Sequence, residues 1–381
     1  MPPLDGPRVF LLNPEALAAA KAAVARRDPA VLPAWAALRA DADKALAVNR
    51  FSLVDKGVTP PSGDKHDYMS QAPYFWPDPA KPDGKPYIRK DGERNPEIDT
   101  ITDHRAIDGL VANTQTLGLA FYFSGDERYA DKAATLVRAF FLDPATRMNP
   151  NLEYAQFIPG VNTGRGIGLI ETRGFTRVVD AIGLIAGSKA WRPEDDRGVR
   201  AWFAAFLEWM QESKNGQDES AAKNNHGTYY DLQVTSFALF LDRAALAKQI
   251  LDQAKQKRIA VQIEPDGRQP LELARTNAWS YSNGNLDGMT ELATLGDRAG
   301  VDLWHYATDD DRSIRKAILY LAPYSFGEKK WDSQQIGTFN PQALHGVLRR
   351  AARQYDDPAF QSAVRRLPAL APTDRAVLAS R

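Results

Sequence analysis

The chain has 381 residues, and its 48 acidic and 48 basic side chains give a formal net charge of zero. This balance argues against a protein whose whole surface attracts nucleic acid or membrane, so a site for a polyanion would have to be local. Cysteine is absent, which excludes disulfides, thiolate metal sites and a cysteine nucleophile, and no apolar run approaches the roughly 20 residues that cross a bilayer.

The first predicted elements are two helices that form a hairpin. Asn-Pro-Glu at 13–15 has the features of an N-cap, a first helical residue and an acidic first turn, ahead of an alanine-rich run at 16–25. Asp-Pro at 28–29 repeats this signal for a second helix that ends near residue 48. The region 49–102 then contains many prolines and glycines, which forbid long helices, so we expect an extended, aromatic-rich loop region.

Tyr68, Gln71 and Trp76 lie in an aromatic stretch of the region 49–102. Long loops are uncommon in compact domains unless they are functional or disordered, and the aromatic content argues against disorder. Aromatic rings stack on the C–H faces of sugars and amides bind hydroxyls, so these three residues are candidate sugar contacts. An equally open alternative is that the rings only attach the loop to the core.

Helical patterns return after this region and continue almost to the C-terminus, whereas strand signals are weak. Pairs of amphipathic helices in series predict an all-α fold, an (α/α) toroid or incomplete barrel of helical hairpins, with function in the loops at one end. The length allows one large domain or two, and we expect one catalytic domain over 1–381. Further helices are predicted at 104–124, 127–140, 178–186, 200–212, 229–241, 244–258, 285–297, 312–321, 341–355 and 358–366.

The glycine-rich stretch at 164–168 superficially suggests a nucleotide-binding turn. No strand signal precedes it and its spacing differs from the dinucleotide fingerprint, so a nucleotide site is not expected. A helix that carries Arg165, Glu171 and Arg173 toward a cleft is favoured. The alternative is that these side chains form structural ion pairs.

The stretch at 223–231 concentrates polar side chains, among them Lys223, Asn225 and His226. It runs into apolar residues at helical spacing, so a helix is predicted to begin at or just after Gly227, with the polar cluster at its start. Helix N-termini offer unpaired N–H groups and a positive dipole end. The simpler interpretation is therefore that Asn224 or Asn225 only caps the helix.

Side-chain types narrow the chemistry that the chain can perform. The five histidines show no metal-ligand spacing, so neither a metal nor another cofactor is expected. No G-x-S-x-G elbow is present, which gives serine hydrolysis little support. What remains is acid/base chemistry by histidine, tyrosine and carboxylates.

Arg275 and Tyr281 belong to a second polar cluster, and with Asn225 and His226 they suit β-elimination from a uronate. The negative charge of the uronate opposes removal of its C5 proton. An arginine and an asparagine bound to that carboxylate would neutralise it and stabilise the enolate-like intermediate. A tyrosine or histidine would then remove the proton, and a tyrosine would protonate the leaving glycosidic oxygen.

Several motifs in this order resemble the alginate lyase superfamily of α/α-toroid polysaccharide lyases. Asn-Asn-His at 224–226 is followed by Glu-Leu-x-Arg-Thr at 272–276 and Ser-Tyr-Ser at 280–282. The loop at 68–79 and Glu-Thr-Arg-Gly-Phe at 171–175 look like the same family's pattern. The resemblance covers most of the chain, and it implies the family's fold and activity.

The resemblance also implies roles for four residues. Asn225 and Arg275 match the pair that neutralises the carboxylate, and His226 matches the catalytic histidine. Tyr281 matches the tyrosine that serves as acid and, for some substrates, also as base. Whether His226 or Tyr281 is the base here is left open. The expected substrate-binding residues are Tyr68, Gln71, Trp76, His104, Arg165, Arg173, Lys223 and Trp279.

Two departures from the best-known alginate-specific branch bear on the substrate. The spacing of Arg275 and Tyr281 differs, and Gly227 stands where that branch often has serine. We expect an anionic uronate polysaccharide as the partner, with alginate first, especially its mannuronate-rich blocks, and glucuronan next.

Two other classes of protein fit the same pattern of helices. A toroidal glycoside hydrolase needs two carboxylates, and Asp103, Glu171, Asp231 and Asp287 are available. A glycan-binding protein without activity would keep the aromatic loop and a cationic cleft. It would need neither a base nor a proton donor, so the presence of both His226 and Tyr281 favours the lyase.

The cellular location is predicted from the resemblance alone, which implies a periplasmic or secreted enzyme. Residues 1–6 lack the charged segment and apolar stretch of a signal peptide. That is expected of a cytoplasmic protein or of a mature chain whose leader was removed.

Overall fold

The computed structural model describes residues 6–379, and helices dominate this part of the chain. The α-helices are α1 (Pro14–Ala25), α2 (Leu32–Ala45), α3 (Asp103–Ser124), α4 (Glu127–Phe141), α5 (Phe175–Ile185), α6 (Pro193–Glu212), α7 (Lys214–Ser220), α8 (Asn225–Phe240), α9 (Ala244–Ala254), α10 (Ala260–Gln262), α11 (Pro270–Leu273), α12 (Ala278–Ala299), α13 (Ile314–Ser325), α14 (His345–Gln354), α15 (Pro358–Arg366) and α16 (Ala376–Ala379).

Helices α3, α5, α8 and α12 pack one against the next, and most of them carry further helices on their flanks. Helix α3 also packs against α2 and α4, α8 against α9, and α12 against α13 and α14. This serial packing of helix pairs is the predicted all-α toroid. Helix α8 is buried on nearly every side, with only His226 and Tyr229 partly exposed between residues 225 and 240. A helix enclosed in this way needs no single apolar face.

The loop region 49–102 contains three of the four short strands of the described chain. These are β1 (Met69–Gln71), β2 (Phe75–Trp76) and β3 (Ile88–Arg89), and the fourth is β4 (Tyr154–Phe157). Strand β1 pairs in parallel with β4, and β2 pairs with β3 in antiparallel orientation. The region is otherwise irregular apart from two short 3-10 turns, which confirms the prediction from its prolines.

The helix predicted at 127–140 is confirmed as α4, and its buried apolar face includes Tyr129, Ala133, Val137 and Phe140. They belong to a large apolar cluster whose members run from Phe10 to Leu367 along the chain. A smaller cluster joins α1 and α2 to the ends of neighbouring helices. Within residues 6–379, no helix combines the length and the apolarity that spanning a membrane requires.

Several helix starts lie earlier than predicted. Helix α6 begins at Pro193, α8 at Asn225 and α12 at Ala278, and each start is rich in polar residues that an apolar period does not detect. Helix α7 was not predicted, because it is short and mostly polar. The predicted helix at 244–258 ends in a π-helical turn, Lys255–Ile259.

Candidate active site

A cleft of about 650 Å³ lies where the loop region meets the first turns of α8 and α12. Asn225, His226, Arg275 and Tyr281, which the sequence places in two separate clusters, all line this cleft. The structure therefore brings the four predicted catalytic residues together. The remaining lining residues are Pro73, Tyr74, Phe75, Arg89, Gln156, Arg165, Ile167, Ile170, Arg173, Asn224, Tyr229, Ser280, Gly284 and Asn285.

The start of α8 places Asn225 and His226 on one wall of the cleft. Asn224 is the N-cap, and its side-chain oxygen accepts a hydrogen bond from the backbone N–H of His226 at 3.3 Å. Capping by Asn224 leaves Asn225 free for another contact. The next residue, Gly227, has close neighbours: a Cβ at this position would lie 2.2 Å from Ala222 O and 2.3 Å from Arg258 Nη1. This crowding leaves no room for a side chain at residue 227.

The imidazole of His226 is held by a buried carboxylate on α7. Its Nδ1 lies 2.9 Å from Glu219 Oε1, and the Glu219 side chain has no exposed surface. Burial raises the pKa of Glu219, and the hydrogen bond with His226 opposes that rise. A neutral imidazole that donates its Nδ1 proton to this carboxylate carries its lone pair on Nε2. Sequence reasoning missed Glu219 because it missed α7.

Asn225 is held by a second buried carboxylate, that of Glu272 on α11. The backbone N–H of Asn225 donates to Glu272 Oε1 at 2.6 Å, and its side-chain Nδ2 donates to Oε2 at 2.8 Å. Burial raises the pKa of Glu272, while the hydrogen bonds from Asn225 lower it. These contacts fix the plane of the Asn225 amide at the cleft wall.

Arg275 and Tyr281 are in direct contact on the other side of the cleft. Nη2 of Arg275 donates to Tyr281 Oη at 2.7 Å, and the guanidinium carbon lies 3.7 Å from the centre of the Tyr281 ring. The Tyr281 hydroxyl donates to Oη of Tyr74 at 2.8 Å. Burial raises the pKa of Tyr281, the hydrogen bond with Tyr74 raises it further, and Arg275 opposes both. Tyr281 is therefore protonated near neutral pH.

Arg275 forms its salt bridge with Asp91, a residue of the loop region that sequence reasoning did not single out. Nε of Arg275 lies 3.0 and 3.1 Å from the two carboxylate oxygens, and Nη2 lies 2.7 Å from Oδ1. Burial would raise the pKa of Asp91, but hydrogen bonds from Arg275 and Thr276 hold it well below its usual range.

Arg165 lies across the cleft on the segment that follows β4. Its Nη2 donates to Gln156 Oε1 at 2.8 Å, and its guanidinium carbon lies 5.1 Å from the centre of the Phe75 ring. Burial lowers the pKa of Arg165 to about 10. Its Nε is buried without a hydrogen-bond partner in the described chain. Gln156 in turn donates to Glu171 Oε1 at 3.1 Å.

Arg173 also lines the cleft, as predicted, and its side chain is exposed. Its guanidinium carbon lies 5.6 Å from the centre of the Tyr229 ring. The Tyr229 hydroxyl donates to the backbone oxygen of Gly284 at 2.8 Å and so joins α8 to α12. The glycine-rich segment that carries Arg165 and Arg173 is a 3-10 helix, Gly166–Thr172, rather than an α-helix.

Two predicted sugar contacts, Tyr68 and Trp279, are corrected because both side chains are fully buried, with 0% exposure. Tyr68 donates its hydroxyl to Glu171 Oε2 at 2.7 Å. Trp279 donates Nε1 to the backbone oxygen of Asn340 at 2.7 Å and packs against Trp331. Neither ring presents a face to a polysaccharide. The alternative, that the rings of the loop region attach it to the core, describes Tyr68.

Gln71 and Trp76 lie in the loop region but do not line the cleft. Gln71 is buried, and its Nε2 donates to Glu97 Oε2 at 3.2 Å. Trp76 donates Nε1 to the backbone oxygen of Glu93 at 2.9 Å. Their contacts lie within the loop region, so the structure gives a structural use for both side chains and leaves their predicted sugar contacts unsupported.

His104 and Lys223 also lie outside the cleft lining. His104 Nε2 is 3.6 Å from Asp99 Oδ1. Lys223 is exposed and lines a separate hollow beside Arg258. The predicted contacts of these two residues with substrate are therefore not supported by their positions.

The carboxylates available to a glycoside hydrolase are used elsewhere. Asp103 forms a fully buried ion pair with Lys56 at 2.7 Å, and Asp231 pairs with Arg258 at 2.7 Å. Neither these two nor Glu171 or Asp287 line the cleft. In residues 6–379, no group of three or more histidine or acidic side chains is placed to hold a metal ion.

Comparison with known proteins agrees with this geometry. A family model described as alginate lyase matches residues 52–331, more than half of the chain. An alginate lyase from Bacteroides ovatus, solved by crystallography, is 41% identical, with 98% of this chain and 99% of that chain covered and a TM-score of 0.94. No curated protein matches the chain.

More distant structures share the fold. Alginate lyase A1-III from Sphingomonas species A1 is 16% identical, with 93% of this chain and 96% of that chain covered and a TM-score of 0.54. A complex of an alginate lyase A1-III variant with a tetrasaccharide has the same identity and coverage, 16%, 93% and 96%, with a TM-score of 0.57. At this identity the likeness concerns the fold alone.

Proposed function

Because the chain belongs to the alginate lyase family and is a polysaccharide lyase, we propose that it cleaves a uronate polysaccharide by β-elimination at the cleft around Tyr281. Its substrate is an anionic polysaccharide. Alginate, above all its mannuronate-rich blocks, is the first candidate and glucuronan the second. The observation that carries this proposal is the direct contact between Arg275 and Tyr281 at 2.7 Å, in one cleft with Asn225 and His226.

Arg275 is suited to neutralise the carboxylate of the sugar that loses its proton. Asp91 and Tyr281 occupy its Nε and Nη2, whereas Nη1 donates to no acceptor within residues 6–379. The negative charge of a carboxylate bound at Nη1 and near the Asn225 amide would be largely neutralised by these donors. Negative charge that develops on the enolate-like intermediate would be stabilised by the same donors.

The proton transfers divide between two side chains in the proposed reaction. His226, with its lone pair on Nε2, removes the C5 proton. The electrons of that C–H bond form the C4–C5 double bond as the C4–O bond breaks. Tyr281, whose pKa is raised by burial, still carries its proton and delivers it to the leaving oxygen. The raised pKa supports the role of Tyr281 as the acid.

Arg165 supports binding of the neighbouring uronate. Its side chain is half-buried and faces no carboxylate of the described chain at salt-bridge distance, and Gln156 orients it. A shallower recess of about 320 Å³, lined in part by Asn277 and Gln335, lies beside Tyr74 and Tyr281. Space next to Tyr281 in two recesses supports a chain that extends past the cleaved bond on both sides.

The test is the ultraviolet absorbance of the purified protein acting on mannuronate and guluronate blocks of alginate, glucuronan and other uronate polymers. Elimination creates a conjugated 4,5-unsaturated uronide, which absorbs, whereas hydrolysis does not. We expect absorbance to rise with mannuronate-rich alginate. New reducing ends without absorbance would establish a hydrolase instead, and binding without either signal would establish a glycan-binding protein.

Two further proposals concern the whole chain. A periplasmic or secreted location is supported by the substrate class, because a polysaccharide too large to cross the cell membrane is cleaved outside the cytoplasm. A single catalytic domain is supported by the apolar cluster that runs from Phe10 to Leu367. Fractionation of the native host tests the location. Limited proteolysis tests whether the chain is a single domain.

A further inference from the structure

We propose that Asp91 is a positioning residue for the lyase reaction, holding the guanidinium of Arg275 in the plane in which Nη2 meets Tyr281 and Nη1 faces the substrate. This inference rests on the proposed function of the cleft. Asp91 belongs to the loop region and does not itself line the cleft.

The contacts of Asp91 determine both the position and the plane of the Arg275 guanidinium. Nε of Arg275 lies 3.0 Å from Oδ1 and 3.1 Å from Oδ2, and Nη2 lies 2.7 Å from Oδ1. A carboxylate that binds two nitrogens of one planar guanidinium leaves the guanidinium little freedom to rotate. Nη2 then lies 2.7 Å from Tyr281 Oη, so the same guanidinium connects Asp91 to the proposed acid.

Asp91 is itself anchored to the residue that follows Arg275. The backbone N–H and the hydroxyl of Thr276 each donate to Asp91 Oδ2 at 3.0 Å, and the hydroxyl also lies 2.8 Å from the backbone oxygen of Asp91. Gly92 has a φ of +76°, and a Cβ there would lie 2.4 Å from Thr276 Oγ1. The loop backbone therefore fits against residues 275–276 too closely to move independently of them.

Arg89 contacts the same carboxylate, because its Nη2 donates to Asp91 Oδ1 at 2.7 Å, the oxygen that also accepts from Arg275 Nη2. Asp91 thus forms ion pairs with two arginines that both line the cleft. A carboxylate here repels the carboxylate of a bound uronate, so by charge alone it weakens substrate binding. Alignment and repulsion make opposite predictions for Asp91→Asn: loss of alignment lowers kcat, whereas loss of repulsion lowers KM.

The experiment measures kcat and KM of Asp91→Asn on the polymer that the wild type cleaves, with Asp195→Asn as the matched control. Asp195 also binds an arginine through two oxygens, Arg138 at 2.9 and 2.7 Å, but it lies outside the cleft lining. We expect kcat of Asp91→Asn to fall by about 10- to 100-fold, the size of a small misplacement of a reacting group. We expect KM to stay the same or fall. The control should lose stability but keep kcat.

A double mutant tests whether Asp91 acts through Arg275. In an Arg275→Lys background, Asp91→Asn should cause little further loss of kcat, because the guanidinium that Asp91 aligns is already absent. Two outcomes would overturn the inference. One is a lower KM with unchanged kcat, which would make Asp91 only a source of repulsion. The other is a full additional loss in the double mutant, which would make its effect independent of Arg275.

A readout that needs no turnover separates this inference from the proposed function. The Nε–H signal of Arg275 in ¹H–¹⁵N spectra, assigned by its loss in Arg275→Lys, should exchange slowly with water in the wild type and quickly in Asp91→Asn. Unchanged exchange would refute the positioning role even if the wild type is an active lyase. A wild type that forms no unsaturated product would refute the function while the exchange result still decides the role of Asp91.

Discussion

The carboxylates that hold the two sides of the cleft have pKa values shifted in opposite directions. On the helix side, Asn225 and His226 at the start of α8 contact the buried Glu272 and Glu219, whose pKa values are raised by burial. On the loop side, Asp91 holds Arg275, and its pKa is lowered by the arginine and by Thr276.

This difference predicts which side responds to acid. A carboxylate with a raised pKa takes up its proton at a higher pH than usual, whereas Asp91 stays ionised below the ordinary aspartate value of about 3.9. Acidification therefore protonates Glu219 and Glu272 on the helix side before it protonates Asp91. The stability that Asp91 contributes is present above its unfolded pKa and is lost only as the pH falls through its lower folded pKa.

The largest expected effect comes from Tyr281→Phe, which removes the proposed acid that contacts Arg275. We expect kcat to fall by about 10²- to 10⁴-fold, the usual contribution of a positioned proton donor, with little change in binding. Initial rates of absorbance increase measure it, with Tyr122→Phe, which lies outside the cleft lining, as the control. Retention of more than about a tenth of the wild-type kcat would remove Tyr281 from this role.

Arg275→Lys tests whether the shape of the guanidinium matters beyond its charge. A lysine keeps the positive charge but cannot contact both oxygens of Asp91 and Tyr281 together. We expect kcat/KM to fall by about 10²- to 10³-fold, as when one donor to a developing oxyanion is lost. Arg50→Lys, at an exposed ion pair with Asp55, is the control. Near-normal activity would show that charge alone suffices.

Glu219→Gln tests the residues at the start of α8. We expect kcat at neutral pH to fall on the order of 10-fold, less than the 10²- to 10⁴-fold of a group that transfers the proton itself, because Glu219 only orients His226. The amide keeps an acceptor for His226 but takes up no proton. Because the pKa of Glu219 is raised, the acidic limb of kcat/KM should lie at lower pH in the variant than in the wild type. Glu212→Gln is the control, and coincident acidic limbs would contradict the comparison.

Arg165→Ala tests the proposed binding of the neighbouring uronate. We expect KM to rise about 10-fold with kcat nearly unchanged, since a hydrogen bond to a charged group contributes about 1.5–3 kcal/mol. Arg128→Ala, at an exposed ion pair with Asp126, is the control, and the comparison uses long polymers. A fall in kcat with constant KM would place Arg165 in the chemical step instead.

The smallest effect is expected from Lys223→Ala, because Lys223 is exposed and lines a different hollow. KM and kcat should stay within about 2-fold of the wild type, as is usual for a side chain that does not contact substrate. A large rise in KM would restore its predicted contact and would widen the helix side of the site.

Much of this architecture could be read from local patterns. The apolar period of α4, the cap signals before α1 and the prolines of the loop region each act over a few residues, and each prediction from them is confirmed. The motifs around His226 and Tyr281 placed both residues as candidates, and the structure brings them to one cleft. Local patterns failed where helix starts are polar, as in α7 and α12.

The residues that hold the site could not be found in this way. Asp91 lies in a loop with no motif of its own, and its partner Arg275 is 184 positions away. Glu219 lies on a short polar helix that has no apolar period. Tyr68 and Trp279 have the right ring chemistry for sugars, but whether a ring is buried or exposed depends on packing from distant segments.

The sequence by itself determined the helical class, the irregular loop region and the set of polar side chains able to perform elimination, because those depend on residue type and short-range spacing. Only the tertiary structure decided which of these side chains share a cleft, which carboxylate holds each of them and in which direction each pKa moves. Those properties depend on burial and on contacts between distant segments, such as the 2.7 Å contact of Arg275 with Asp91.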